Sequence, residues 1–137
     1  MAGAFELEVA TPERMLLKEQ VSEARVPGAQ GELGILPGHA ALVSSLGVGT
    51  LQYKPLGGAA RVMAISGGLV EVLPDHVRVL ADRAEFGDEV DVKRAEQALE
   101  RANERLASPV EGLDIARALN AARRAQARLA AAKFLSK

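Results

Sequence analysis

The chain has 137 residues, a formal net charge of −1, no cysteine and 48% hydrophobic residues. These values are typical of a small globular protein with one or two domains, and they exclude an intrinsically disordered chain. The balanced charge argues against a general nucleic-acid binder, and the lack of cysteine excludes disulfides and thiolate metal sites. We find no signal peptide and no stretch of about 20 apolar residues, so we expect membrane association only through a partner.

The amino-acid composition changes at Gly87. Twelve of the 13 glycines and five of the six prolines lie at or before this residue, and the rest of the chain is rich in Ala, Arg and Glu. Because Gly and Pro mark turns whereas Ala, Arg and Glu favour helices, we predict a β domain over 1–87 and a helical domain over 88–137.

Short runs that alternate apolar and polar residues fill the first region. The run from Phe5 to Val9 has the period of two that is typical of a half-buried strand, and further segments follow up to Leu80. Gly67 and Gly68 are predicted to form a tight turn. We count eight to ten short strands and predict an antiparallel sandwich or barrel, since no helical crossover is available to build a parallel sheet.

The stretch 31–40, with the sequence GELGILPGHA, combines three glycines with a proline and a histidine. Glycine adopts backbone angles closed to other residues and proline fixes its own, so we predict a shaped loop rather than a regular strand. Its apolar members, Leu33, Ile35 and Leu36, are too many for an idle surface loop. The loop is therefore either a structural corner that packs on its own sheet or a surface that meets a partner.

Two apolar stripes at helical spacing follow, joined by a break over 107–112. The first stripe consists of Val92, Ala95, Leu99, Ala102 and Leu106, and the second of Ile115, Ala118, Ala122, Ala125, Leu129 and Ala132. We predict an antiparallel helical hairpin whose first helix is capped by Asp88 or Asp91. Since burying one CH₂ contributes about 0.8 kcal/mol, a seam rich in alanine should hold the hairpin weakly and allow it to move. The alternative is a static, solvated helical tail.

The second helix is strongly basic. Over 113–137 six basic residues accompany one acid, Asp114, whereas the first helix mixes acids with bases. Either the two helices pair through opposite charge, or the last helix is complementary to an acidic protein surface. Arg124 and Arg128 are four residues apart and share a helix face, so they are also suited to clamp phosphates.

We find no constellation of catalytic residues. Neither His39 nor His76 has a partner at metal-ligand spacing, and each is expected to be an ordinary loop or turn residue. The chain lacks the Gly-x-x-x-x-Gly-Lys-Ser/Thr phosphate loop. We therefore expect no catalytic residue, no metal ligand and no ATP hydrolysis by that route.

GELGILPGHA at 31–40, Ser-Gly-Gly at 66–68, Val-Leu-Ala-Asp at 79–82 and the Ala/Arg hairpin together resemble the epsilon subunit of bacterial F-type ATP synthase. The resemblance covers essentially the whole chain, and its first motif is the specific one. It implies an α+β protein, with a flattened antiparallel β-sandwich of about ten strands followed by a two-helix hairpin. It also implies a non-catalytic rotor subunit in the central stalk of the proton-translocating synthase, bound to gamma and to the membrane-embedded c-ring.

The resemblance assigns partners to two parts of the chain. The residues that it implies for contact with the c-ring are Glu32, Leu33, Ile35 and His39. The second helix is expected to swing up along gamma into the alpha/beta catalytic head, where its basic residues meet an acidic segment of a catalytic subunit and block ATP hydrolysis. The residues that match this role are Arg117, Arg123, Arg124, Arg128 and Lys133.

Some members of this family bind ATP in the folded-down state through Ile/Leu-Asp-x-x-Arg-Ala, which resembles 90–95 here. No cofactor is required, and we expect at most weak, regulatory ATP. The matching residues are Val90, Asp91, Arg94 and Ala95, with Glu85 upstream and Arg124 and Arg128 on the second helix. The alternative is that Asp91 only caps its helix and that the arginines serve only the acidic partner.

A function of a different class also fits the sequence, namely a free-standing ATP-binding or adaptor module whose basic helix recruits an acidic partner. A rotor subunit predicts that changes at Glu32 or His39 disturb coupling while leaving the fold intact, and an adaptor would be indifferent to them. With no transit peptide in view, we expect a peripheral protein on the cytoplasmic side of a bacterial inner membrane.

Overall fold

The structure is a computed structural model and describes residues 3–134. Its strands are β1 (Phe5–Ala10), β2 (Met15–Gly28), β3 (Gly31–Ile35), β4 (Leu42–Ser45), β5 (Val48–Pro55), β6 (Arg61–Leu73) and β7 (His76–Phe86). A short 3-10 helix, Gly87–Glu89, leads into the helices α1 (Val92–Ala107) and α2 (Ile115–Phe134). The order confirms the predicted fold class, a β region followed by a helical hairpin.

The strands form a closed, flattened sandwich. β2 pairs with β5, β5 with β6 and β6 with β7, and β1 closes the ring by pairing with both β7 and β2. β3 extends the sheet from β2, and β4 pairs with β6. The inward side chains, among them Phe5, Leu51 and Tyr53, form one core that contains no helical side chain within residues 3–134.

The described part of the chain has seven strands, fewer than the eight to ten short segments predicted. The number is smaller because strands continue through residues, such as glycines, that the sequence pattern predicts to end a strand. At Gly67 and Gly68, expected to form a tight turn, β6 runs on and changes partner, so that residues 61–66 pair with β5 and 69–72 with β4. β6 therefore belongs to both layers of the sandwich, and the two glycines form its bend.

The sandwich is antiparallel except at one pair. β1 runs parallel to β7, with Glu6 opposite His76 and Ala10 opposite Leu80. A parallel pair needs a long connection, but the connection need not be a helix. Here the strands β2 to β6 form the connection between β1 and β7, so the lack of a helical crossover does not exclude this parallel pair.

An aspartate side chain caps each helix. The Asp91 carboxylate accepts a hydrogen bond from the backbone N of Arg94 (3.1 Å), so Asp91 rather than Asp88 is the N-cap of α1. Asp114 accepts from the backbone N of Arg117 (3.0 Å) in the same way. Over the residues described, neither helix is both long and apolar enough to cross a membrane.

Alanine forms the buried surface of the hairpin. α2 lies on β5, β6 and the 3-10 helix, whereas the main packing partner of α1 is α2. The buried residues of the two helices are Ala95, Ala102, Ala118, Ala122, Ala125, Ala127 and Ala131. Val92 and Ile115 depart from the predicted stripes and are exposed, because each is the first residue of its helix and lies beyond the packed seam. That this seam holds the hairpin weakly remains a prediction.

A charged cluster crosses the outer face of the sandwich. In register, Glu8 of β1 lies between Arg78 of β7 and Lys18 of β2. Glu8 is only 7% exposed, and its carboxylate accepts a hydrogen bond from Arg78 Nε (3.1 Å). His76 lies between two carboxylates, with Nδ1 3.7 Å from Glu6 Oε1 and Nε2 3.5 Å from Glu8 Oε2. His76, expected to be an ordinary turn residue, is therefore part of this cluster.

The hydrogen bond from Arg78 lowers the pKa of the Glu8 carboxyl below its ordinary value of 4.5, against the opposing effect of burial. A lowered folded-state pKa stabilises the fold above the unfolded-state value, and this contribution is lost as the pH falls through the folded-state value. We expect Glu8→Gln to lower the free energy of unfolding at neutral pH, with a deficit relative to wild type that shrinks below pH 4.5. Urea unfolding between about pH 3 and 7 measures this deficit, and a constant deficit across that range contradicts the prediction.

Candidate functional site

The segment 31–40 begins as a strand and ends as a loop. Its first half is β3, which forms a hairpin with β2. Ile35 packs into the core at 2% exposure, so its side chain is not available to a partner. The second half turns back onto the sheet, where the backbone N of Gly38 donates to the carbonyl oxygen of Pro74 (2.8 Å). The predicted shaped loop is therefore confined to 36–40.

Several side chains of this segment reach solvent. Glu32 is exposed and lies 3.7 Å from Arg25, measured from Oε1 to Nε. Leu33 and His39 are half-buried, and the His39 ring is held by a 2.8 Å contact between Nδ1 and the next carbonyl oxygen. Leu36, not singled out as a contact residue in the sequence, is 61% exposed. Leu36, and not the buried Ile35, is therefore accessible to a partner.

An apolar row lies beside the charged cluster on the outer face of the sandwich. Leu69 of β6 and Leu80 of β7 stand directly opposite each other, and each is half exposed. Met15 of β2 extends the row, and Val43 of β4 lies beside it, opposite Glu71 of the neighbouring charged row; both are more than half exposed. Adjoining exposed apolar side chains rimmed by charge are typical of a protein-binding surface.

A cleft of about 460 Å³ lies between the hairpin and the sheet. β6 and β7 form its sheet wall, and α1 and α2 form its helix wall. Its charged lining residues are Arg83, Glu85, Arg94, Arg101, Arg124 and Arg128. The volume is that of a small-molecule site, and the excess of arginine suits it to an anion.

Arg128 joins the two walls of this cleft. Its guanidinium forms an ion pair with Glu85 of β7, and both side chains are partly buried. Among residues 3–134, this is the one ion pair that links α2 to the sheet. The pair positions Arg128 and ties the helix to the sandwich.

The structure brings together four of the seven residues predicted for ATP. The four that line the cleft are Glu85, Arg94, Arg124 and Arg128. Two further lining arginines, Arg83 and Arg101, escaped the sequence analysis. Their spacing would have identified them. Arg83 lies two residues before Glu85 on a strand, and Arg101 lies seven residues after Arg94 on a helix, so each shares a face with a predicted residue.

The other three predicted residues lie outside the cleft. Asp91 caps α1 and lines an adjoining surface that shares Arg94 and Arg101 with the cleft. Ala95 is fully buried in the hairpin, and Val90 is half-buried without lining the cleft. A contact from Asp91 to a base or ribose remains a prediction.

The basic residues of α2 fall on two sides of the helix. Arg124 and Arg128 are half-buried in the cleft, whereas Arg117, Arg123 and Lys133 are exposed. Two of the five basic residues predicted to meet an acidic partner therefore face the sheet. An acidic partner reaches the full set only when the hairpin leaves the sheet.

Known proteins match this architecture over nearly its full length. Residues 4–87 match the beta-sandwich domain of the ATP synthase delta/epsilon chain, and residues 88–133 match the long alpha-helix domain of that chain. The ATP synthase epsilon chain of Solibacter usitatus is 56% identical, with 96% of this chain and 98% of that one covered. The epsilon chain of Syntrophomonas wolfei is 47% identical, with 96% of each covered.

Solved structures show the same fold. A chain in the Euglena gracilis mitochondrial ATP synthase, in a structure of OSCP, F1 and c-ring, matches with a TM-score of 0.82 at 26% identity, covering 95% of this chain and 82% of that one. A chain in the central stalk and c-ring structure of the Tetrahymena thermophila mitochondrial ATP synthase matches with a TM-score of 0.62 at 16% identity, covering 97% and 96%, and supports the fold alone.

A β-sandwich domain followed by a long alpha-helix domain defines the delta/epsilon chains of ATP synthase. The chain belongs to the ATP synthase delta/epsilon family. The resemblance to the epsilon subunit drawn from the sequence motifs is thereby confirmed.

Proposed function

We propose that this chain is a non-catalytic central-stalk subunit of a proton-translocating F-type ATP synthase. It couples the catalytic head to the c-ring and inhibits ATP hydrolysis through its mobile hairpin. The observation that carries the proposal is the packing of α2 on the sheet. Alanines, Phe134 at the end of the helix and one ion pair hold α2 there, and two of its arginines line the cleft. A helix held by such small contacts is suited to leave the sheet and expose its charge.

The outer face of the sandwich supports a contact with gamma. Leu69, Leu80 and Met15 give this face an apolar centre, and the cluster around Glu8 borders it with charge. An apolar centre with a polar rim is the usual composition of a protein interface. The Euglena relative comes from an assembly that contains F1 and a c-ring, which supports stalk and ring subunits as neighbours of this chain.

The segment 31–40 is proposed to meet the polar loops of the c-ring. Its exposed and half-buried side chains are Glu32, Leu33, Leu36 and His39. Pairing with β2 and the hydrogen bond from Gly38 hold the segment in one shape. A rigid segment transmits torque better than a flexible loop, and Ile35 contributes by anchoring it in the core.

The cleft is proposed to hold a regulatory nucleotide while the hairpin is docked. Its phosphates would bind arginines of both helices and of the sheet wall, and any ligand that binds only the docked state stabilises that state. Arg124 and Arg128 are the residues for which the nucleotide competes with the acidic segment of a catalytic subunit. ATP acts here as a ligand, and no cofactor is part of the proposal.

We propose that residues 1–87 bind gamma and the c-ring and that residues 88–137 regulate ATP hydrolysis. The chain would lie on the cytoplasmic side of a bacterial inner membrane, attached through its partners and without an active site of its own. A free-standing adaptor is the weaker alternative, because the family match covers the sandwich as well as the basic hairpin.

ATP hydrolysis by the catalytic head with its gamma subunit, from the same organism, tests the proposal. We would add either the full-length chain or a chain ending at Gly87, which keeps the whole sandwich core. Both should bind, and only the full-length chain should inhibit hydrolysis. If both bind and neither inhibits, the inhibitory role is wrong. If neither binds, the adaptor replaces the stalk subunit as the best proposal.

A further inference from the structure

We propose that Glu6, Glu8 and His76 form a site for one Zn²⁺ ion on the outer face of the sandwich. One ring nitrogen of His76 and one oxygen of each carboxylate lie within 4.8 Å of one another. An imidazole with two carboxylates suits Zn²⁺ and the transition metals close to it, whereas Mg²⁺ and Ca²⁺ prefer sites made of oxygen alone. The site belongs to the sandwich, so it is independent of the cleft and of the hairpin.

The parallel pairing of β1 with β7 brings these residues together. Glu6 and Glu8 are two residues apart on β1, so both side chains project from the same face of the strand. His76 begins β7 and lies opposite Glu6 in the register of the pair. Because the histidine and the carboxylates are far apart in the chain, their spacing in the sequence predicts no metal ligand. The fold, and not a sequence motif, assembles the set.

His76 has a ring nitrogen without a partner. Its Nε2 atom is buried and forms no hydrogen bond among residues 3–134, although Glu8 Oε2 lies only 3.5 Å away. The other nitrogen, Nδ1, is 3.7 Å from Glu6 Oε1. Both separations are longer than a good hydrogen bond and close to the distance between two ligands of a tetrahedral Zn²⁺ ion, about 3.4 Å. A buried polar atom that lacks a hydrogen bond needs another partner, and a metal ion on Nε2 provides it.

The charges around the three residues leave an excess of negative charge. The Glu8 side chain is 9% exposed, Arg78 donates to its Oε2, and Lys18 lies 3.9 Å from its Oε1. Arg78 also lies 4.0 Å from a third carboxylate, that of Glu71 on β6. With the imidazole neutral, three carboxylates face two cations, and a divalent ion offsets the excess. The hydrogen bond from Arg78 then holds a ligating carboxylate in position, which is the usual role of a group behind a metal ligand.

A bound ion would fasten the two strands that close the ring of the sandwich. Glu6 and Glu8 belong to β1, and His76 belongs to β7. Since only the folded chain brings these strands together, an ion bound there stabilises the folded state. The expected effect on the fold is therefore a higher midpoint of thermal unfolding, Tm.

Calorimetric titration of the full-length chain with Zn²⁺ tests this proposal. We expect one ion per chain with a micromolar dissociation constant, and no binding of Mg²⁺ at the same concentrations. His76→Asn should weaken Zn²⁺ binding by about tenfold or more. Glu6→Gln should do the same, because it removes the charge of a ligand and leaves the bond between Glu8 and Arg78 in place.

His39→Asn is the matched control. It removes the only other histidine of the chain, which lies in the loop 36–40 and contacts a backbone carbonyl oxygen. Zn²⁺ binding should be unchanged in this variant. As a second readout, Zn²⁺ at about ten times its dissociation constant should raise Tm by about 5 °C in wild type and in His39→Asn. It should leave Tm unchanged in His76→Asn.

The outcomes separate a metal site from a cluster of charges. Zn²⁺ binding at full strength in His76→Asn overturns the proposal, and so does equal binding of Mg²⁺, which indicates negative charge alone. A loss of binding in His76→Asn without one in Glu6→Gln overturns the role of Glu6 only. If wild type binds no Zn²⁺ at millimolar concentration, the proposal is wrong and the cluster is an ion-pair network only. The stalk assignment is untouched by each of these results.

Discussion

Gly87→Ala is expected to lift α2 from the sandwich and to shift the hairpin toward a released state. A β-carbon on Gly87 would run into the backbone carbonyl of Ala131, with the carbonyl carbon 2.9 Å away, and would lie 3.1 Å from Val62 Cγ1. The helix backbone cannot rotate out of the way as a side chain does. Overpacking of this kind costs about 1–3 kcal/mol, or about a 5- to 150-fold shift toward release.

Hydrogen exchange along α2 measures this shift. Amides of α2 should exchange faster in Gly87→Ala than in wild type, whereas amides of the sandwich core should keep their rates. Because the released hairpin no longer forms the cleft, phosphate binding should weaken in proportion to the loss of docked hairpin, and inhibition of the catalytic head should strengthen. Gly34→Ala is the control, since a β-carbon there would meet nothing within 4 Å. Unchanged exchange in Gly87→Ala would show that α2 is not seated on Gly87.

Gly68→Ala is expected to destabilise the sandwich by about 3 kcal/mol or more. Gly68 has a φ of 117°, which other residues rarely adopt. A β-carbon there would also run into the carbonyl of Leu80, with the carbonyl carbon 3.0 Å away, and would lie 2.9 Å from Ala81 Cα. Both costs fall on the bend where β6 passes from one layer to the other, so the damage should reach both layers.

Urea unfolding followed by circular dichroism measures this loss. Gly31→Ala is the matched control, because Gly31 also has a φ far from the left-handed helical region, 136°, but a β-carbon there would meet nothing within 4 Å. The control measures the conformational cost, about 1–3 kcal/mol, and the additional loss in Gly68→Ala reports the close approach of β6 and β7. Equal losses in the two variants would refute that close approach.

Sequence patterns predict those parts of the fold that depend on residues close together in the chain. The change of composition at Gly87 coincides with the end of β7. Asp91 caps α1 because its carboxylate accepts a hydrogen bond from the backbone N–H three residues later, at Arg94. The parallel pair between β1 and β7 has no local signature. His76 therefore looks like a lone turn residue in the sequence, although the fold places it between Glu6 and Glu8.

The candidate site is less predictable than the fold, since it depends on which face each residue occupies. The period of two in β3 turns Leu33 and Ile35 toward the core, and a shift of one residue in pairing would turn them outward. Leu36 follows the strand in the loop and is exposed. Arg94 is recognisable from a motif, but Arg83 is not part of it. Only the packing of α2 on β6 and beside β7 brings Arg83 within reach of the helical arginines.

The alanine seam of the hairpin has a consequence for how quickly it can open and close. Alanine has no side-chain rotamers to lose on burial, whereas a buried leucine gives up about 0.5–1 kcal/mol of rotamer entropy. Reclosing the seam therefore involves no search for a matching set of side-chain conformations. Ala122 and Ala125 are both buried in the seam, so a helix that replaced α1 under the proposed release would meet short side chains at these positions. The exchange of partners is then limited by the movement of the helices as rigid rods.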